Sequence, residues 1–116
     1  NALGTLLNVR NGELLKGEHS LALQRKLVAE ATEVAAKKGI ELMYEDMSHE
    51  VAAICEKTSG NINSMLQDVR NKRKTEIDFI NGAIVREGER LNVPTPVNRV
   101  VSSLIKAIEE SYDRQI

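Results

Sequence analysis

Aromatic residues are nearly missing from this chain: one Phe, two Tyr and no Trp among 116 residues. Its core must therefore be assembled from Leu, Ile, Val, Ala and Met. Cysteine occurs once, at Cys55, which excludes an internal disulfide and a thiolate zinc cluster and suits a reducing, cytoplasmic setting. Neither sign of charge dominates: 16 basic residues face 17 acidic ones, for a net charge of −1, where a general nucleic-acid binder would carry a basic excess. No apolar run approaches the ~20 residues needed to cross a bilayer as a helix. The seven glycines form neither a GxGxxG fingerprint nor a phosphate-binding loop, so neither device can hold a nucleotide. His19 and His49 stand too far apart in sequence to read as a metal pair, and no metal site is expected.

The remaining composition is that of a globular domain, 41% hydrophobic and 28% charged, and the length fits a single domain spanning residues 1–116. No segment alternates with a period of two, whereas several show helical spacing, so the fold class is all-α. The chain begins at Asn1 with Ala2, Leu3, Leu6 and Leu7 on one helical face, which reads as a helix joined mid-course and hence as a fragment. A second helix is predicted from about Ser20 to Lys38, with Leu27, Ala31, Val34 and Ala35 inward and Gly39 ending it. A third runs from about Asp46 to Thr58, with Met47, Val51 and Ile54 inward and Gly60 closing it. Thr95 followed by Pro96 signals the start of the last helix, whose apolar face carries Val97, Val100, Val101, Leu104, Ile105, Ile108 and Tyr112. That face reads as core, with a homodimer contact as the other reading.

The stretch from Asn61 to Gly82 organises the rest. Ser64 with Gln67, and Thr75 with Asp78, each fit a capping box, predicting two helix starts in quick succession. Ile77, Ile80, Ile84 and Leu91 then continue the second of them, and Gly82 within it permits close approach of a neighbour. Free N–H groups at such starts attract anions, so Ser64 and the N–H of Met65 could bind a carboxylate. The Asn61 amide could donate or accept toward a neutral hydroxyl. Glu76 falls in the predicted first turn, where the helix dipole favours a charged carboxylate. Each of these also has a plain structural reading as a cap or dipole complement. Asn11-Gly12 is a turn signal, and the run Arg70, Lys72, Arg73, Lys74 reads as a solvated loop.

The motifs NINSMLQD, TEIDFINGAIV and VPTPVN, with NALGTLLNVRNGELL near the beginning, resemble the C-terminal domain of the ketopantoate reductase (2-dehydropantoate 2-reductase) family. Their order and spacing match across essentially the whole chain, while residues 16–56 match in pattern only. The resemblance implies the multi-helix C-terminal domain of the 6-phosphogluconate dehydrogenase C-terminal-like type. It implies NADPH-dependent reduction of 2-dehydropantoate to (R)-pantoate, on the route to pantothenate and coenzyme A. Ser64 and Met65 would then meet the substrate carboxylate, and Asn61 would line the same pocket. Asn1 and Asn11 would bind substrate, and Glu76 would be catalytic and touch the cofactor. The family's general-acid lysine would lie upstream of Asn1, and the N-terminal Rossmann domain is absent from this chain, so the fragment is expected to be inactive alone. Two alternatives remain open: a reductase of another 2-oxo acid, and a non-catalytic helical dimerisation module.

Overall fold

A computed structural model describes residues 1–42 and 46–116. Six α-helices carry the chain: α1 (Ala2–Leu7), α2 (Glu18–Lys37), α3 (Met47–Lys57), α4 (Ser64–Arg70), α5 (Asn81–Leu91) and α6 (Pro96–Glu110). Two 3₁₀ turns, Asn11–Leu15 and Ile77–Phe79, join them, and no strand occurs among the described residues. The all-α reading holds.

The core lies where α1, α4 and α6 meet the second 3₁₀ turn. Ala2, Met65, Ile77, Val101 and Ile105 are buried there, with Leu6, Leu27, Ile80, Val97 and Ile108 packed around them. In the absence of large rings these aliphatic side chains must interlock closely, each contributing roughly 1.5–3 kcal/mol when fully buried. The long helix α2 packs against α3, α5 and α6. It ends as the sequence predicts, with Gly39 at φ +85. α3 begins with a true cap, the Asp46 carboxylate accepting from His49 N–H at 3.0 Å.

Several expected inward residues face out. Ile54 is 61% exposed, and Leu7, Val100 and Leu104 are about half exposed. The buried stripe of α6 is narrower than its apolar stripe: Val101 and Ile105 reach the core, while Val100 and Leu104 fall on its flank. Gly60 does not terminate α3; the C-cap is Thr58, and Gly60 instead offers its carbonyl to the Arg10 guanidinium at 2.8 Å. Cys55 is half-buried and accepts a hydrogen bond from Gln24 at 3.3 Å, rather than sitting in an apolar core.

The central stretch departs furthest from expectation. The N-cap of α4 is Asn63, whose Oδ1 accepts from Leu66 N–H at 2.9 Å, and Ser64 is the first helical residue. Gln67 does not reach back to the cap but donates to the Ile62 carbonyl. Thr75 starts no α-helix either: its hydroxyl accepts from Ile77 N–H, and only a 3₁₀ turn follows. The backbone breaks at Ile80 (φ −112, ψ −96), and α5 starts at Asn81. This break lets Ile77 drop into the core, 1% exposed. Gly82 is required by the same bend, since a Cβ there would stand 3.2 Å from the Ile77 carbonyl oxygen. The close neighbour is thus the preceding turn, not another helix.

Asp78 belongs to no capping box. Its carboxylate meets the Lys106 ammonium at 2.7 Å, and this hydrogen bond holds its pKa below the ordinary carboxylate value. The pair therefore favours the folded state above that ordinary value, and the benefit is lost as pH falls through the depressed one. In Lys106→Met, the Asp78 carboxyl is expected to titrate at higher pH than in the parent chain. Carbon-detected NMR through the acid range checks the direction, and an unmoved midpoint would show the contact to be energetically idle.

Candidate functional site

Five of the six nominated residues line two recesses. The smaller, about 110 Å³, is lined by Ser64, Met65, Asp68, Glu76 and Ile80. The larger, about 290 Å³, has an apolar wall from α2, α3 and α5 and includes Asn1 and Asn11. Ile80, at the break before α5, lines both.

Local structure explains the donors of the smaller recess. In the first turn of α4, Leu66 N–H is taken by the Asn63 side chain and Gln67 N–H by the Asn63 carbonyl. The N–H groups of Ser64 and Met65 have no protein acceptor among the described residues, and the exposed Ser64 side chain stands beside them. The same recess is lined by Glu76, exposed, and by Asp68, one turn further along α4 and half-buried with its carboxylate 3.6 Å from Arg73. The recess therefore pairs open donors with acidic acceptors. A carboxylate suits the first set and hydroxyl groups suit the second. Glu76 does not occupy an α-helical first turn; it precedes the 3₁₀ turn (φ −92, ψ 24), so any dipole support comes from a single short turn.

Asn11 is fixed from three directions. Its N–H donates to the Asn61 carbonyl at 3.0 Å, its Nδ2 donates to Thr58 Oγ1 at 2.9 Å, and the adjacent Gly12 N–H donates to the Ser59 carbonyl. Gly12 has no room for a side chain, because a Cβ would come within 2.5 Å of Ser59 Cβ. The turn signal thus serves a close approach between the first 3₁₀ turn and the end of α3. Asn11 Oδ1 accepts nothing from the described residues and remains an open acceptor. Asn61 is exposed and lines neither recess, but its backbone bond to Asn11 sets the two residues side by side. Asn1 gives its carbonyl to Thr5 N–H and Oγ1, and its side chain caps nothing.

Three further asparagines of the larger recess escape the sequence reading. Asn63, Asn81 and Asn98 are all buried, and Asn81 Nδ2 donates to Asn98 Oδ1 at 2.9 Å. Each lies inside a motif noted above, NINSMLQD, FING and VPTPVN. Their signal was an amide in an otherwise apolar setting, where an unpaired polar group is expensive. Asn81 and Asn98 are partnered, whereas Asn63 Nδ2 is buried with no hydrogen-bond partner among the described residues. Asp68 was likewise inside a quoted motif without being nominated. Among the described residues, no group of three or more His, Cys, Asp or Glu could hold a metal ion. No helix there is long and apolar enough to cross a membrane.

The family profile described as "Ketopantoate reductase PanE/ApbA C terminal" matches residues 1–109. The 2-dehydropantoate 2-reductase of Archaeoglobus fulgidus is 36% identical over 109 residues, covering 94% of this chain and 36% of that protein. A PanE/ApbA family ketopantoate reductase from Ralstonia eutropha JMP134 superposes with a TM-score of 0.91 at 33% identity, covering 98% of this chain and 38% of that one. A D-mandelate dehydrogenase, solved with NADH and anilino(oxo)acetate, has a TM-score of 0.85 at 37% identity, covering 99% and 38%. The chain thus spans about a third of the length of its curated relatives (36% of the first). In sequence and in backbone alike it matches their helical C-terminal portion, and it belongs to the ketopantoate reductase family.

Proposed function

We propose that this chain is the substrate-side domain of an NADPH-dependent 2-dehydropantoate 2-reductase, forming (R)-pantoate for pantothenate and coenzyme A synthesis in the cytoplasm. One observation carries the reading. Ser64, Met65 and Glu76 surround a single recess that shares Ile80 with the cavity holding Asn1 and Asn11. The open N–H groups of α4 and the Ser64 hydroxyl receive the substrate carboxylate, and Asn11 Oδ1 accepts from a substrate hydroxyl. Asn1 completes the polar wall, and Asn61 stands beside Asn11 through its backbone bond.

The domain works with an N-terminal Rossmann domain, which supplies most of the cofactor site and the general-acid lysine. When bound, the cofactor delivers hydride to the ketone carbon. From this chain the exposed Glu76 carboxylate is the group that fits such a neighbour: it accepts from a ribose hydroxyl and orients the lysine. Such a wall contributes positioning and preorganised charge rather than the hydride itself. The 116-residue chain alone is therefore inactive, and homodimerisation would use helical surfaces away from the recess.

A second reading keeps the chemistry and changes the side chain of the substrate. It is favoured by the likeness to a D-mandelate dehydrogenase whose structure holds NADH and anilino(oxo)acetate. Cofactor oxidation by the complete reductase separates the two, with 2-dehydropantoate and 2-oxo-2-phenylacetate each assayed with NADPH and NADH. The expected result is a higher kcat/KM for 2-dehydropantoate with NADPH. Preference for the aryl acid would install the second reading. A folded enzyme silent on all 2-oxo acids would leave a helical dimerisation module.

A further inference from the structure

The Glu76 carboxylate makes no hydrogen bond or ion pair among the described residues, so the backbone around it must set its aim, its own carbonyl accepting from Phe79 N–H at 2.9 Å. That backbone is held from far along the chain. Thr75 N–H donates to Glu109 Oε2 at 2.6 Å, and the Arg73 carbonyl accepts from the Tyr112 hydroxyl at 2.8 Å. Both anchors come from the end of α6 and the turn after it, 34 and 39 residues downstream of the groups they hold. On the other side of Glu76, Ile77 is locked in the core and its N–H is bound by Thr75 Oγ1. The loop is tightened from within by Arg73 N–H donating to the Asp68 carbonyl at 2.8 Å.

From this arrangement we infer that Glu109 is a positioning residue for the reaction, acting through Glu76, with Tyr112 in a supporting part. This rests on the reading above that Glu76 works at the reacting centre. The contact is charge-assisted and short, and Thr75 is buried, so water cannot readily replace the carboxylate. Loss of the anchor frees the residue immediately before Glu76. Misplacements near 1 Å are enough to cost up to about a hundredfold in rate.

The test is a double-mutant cycle in the complete reductase, measuring kcat, KM and melting temperature. Glu109→Ala is expected to lower kcat about tenfold with KM changed less than about twofold, a fraction of the full misplacement cost. Glu109→Gln should recover most of the loss, because its amide oxygen still accepts from Thr75 N–H. In a Glu76→Ala background, Glu109→Ala should cost nothing further. Wild-type kcat in Glu109→Ala, an equal loss in both backgrounds, or a glutamine no better than alanine would each overturn the inference while leaving the role of Glu76 intact. Wild-type turnover in Glu76→Ala would instead overturn the reading of Glu76, and this inference with it. If Glu109→Ala does not fold, Tyr112→Phe removes only one hydroxyl and runs the same cycle, with about a twofold loss confined to the Glu76 background expected.

Discussion

Glu76→Ala in the complete reductase is expected to lower kcat about a hundredfold with little change in melting temperature. The two halves of this expectation have separate structural causes. Glu76 is exposed and its carboxylate bonds to no described residue, so deleting that carboxylate removes no native hydrogen bond and leaves no buried group unpaired. Its neighbours Thr75 and Ile77 keep their own partners and hold the loop as before. Under the proposed function, what is lost is a charge at the edge of the recess that carries the α4 donors, assigned there to orient a proton donor and accept from the cofactor. Stopped-flow NADPH oxidation with saturating 2-dehydropantoate, alongside a thermal melt, checks both halves. A mutant with unimpaired turnover would remove Glu76 from the chemistry. One that melts far lower would assign it a structural task that its surroundings do not show.

Glu30→Ala is the corresponding expectation for stability, and it arises at a helix end that looks ordinary in the sequence. Thr95 occupies the N-cap position of α6, but its side chain makes no capping bond. The capping group is the carboxylate of Glu30 from α2. Oε2 accepts from Val97 N–H at 2.9 Å, and Oε1 accepts from Asn98 N–H at 2.9 Å and from Asn98 Nδ2 at 2.8 Å. Asn98 is fully buried; its Nδ2 also donates to the Leu27 carbonyl, and its Oδ1 receives the Asn81 amide. One carboxylate therefore caps a helix, satisfies a buried amide and ties α2, α5 and α6 together.

Removing it combines a cap loss of about 0.5–2 kcal/mol with hydrogen bonds to a charged acceptor worth about 1.5–3 kcal/mol. The two overlap, so about 3 kcal/mol is a fair expectation. At the usual entropy of unfolding per residue, that lowers the melting temperature of a chain this size by about 10 °C. Glu30→Gln keeps one acceptor oxygen and should fall between the two. Calorimetry on the three proteins checks the order. A Glu30→Ala protein that melts with the parent would mean that solvent caps α6 equally well.

Much of this molecule was legible in its sequence because the governing effects are local. Helical periodicity, the positive-φ glycine at 39, the Asp46 cap and Pro96 at the start of α6 depend on residues within one turn of each other. The motifs around Asn1, Asn11, Asn61, Ser64 and Glu76 sufficed to nominate a site and to point to a family. The reading failed where two local solutions compete. Asn63 and Ser64 are both good cap residues, and packing chose Asn63, whose side chain is buried beside Thr5 of α1 while Ser64 is exposed. Thr75 through Asp78 satisfies a capping pattern, yet burial of Ile77 bends the chain into a 3₁₀ turn instead.

Periodicity alone determined that the chain is all-helical, because side-chain spacing is a property of each segment by itself. Tertiary structure alone decided which atoms meet across those segments. Glu30 caps a helix 67 residues away, Glu109 holds Thr75 across 34, and Ile80 lines both the recess of Ser64 and Glu76 and the one that gathers asparagines from distant parts of the chain. A carboxylate on a helix surface looks the same in sequence whether it faces water or a buried N–H. The desolvation of the partner separates the cases, and desolvation exists only once the chain has folded around it.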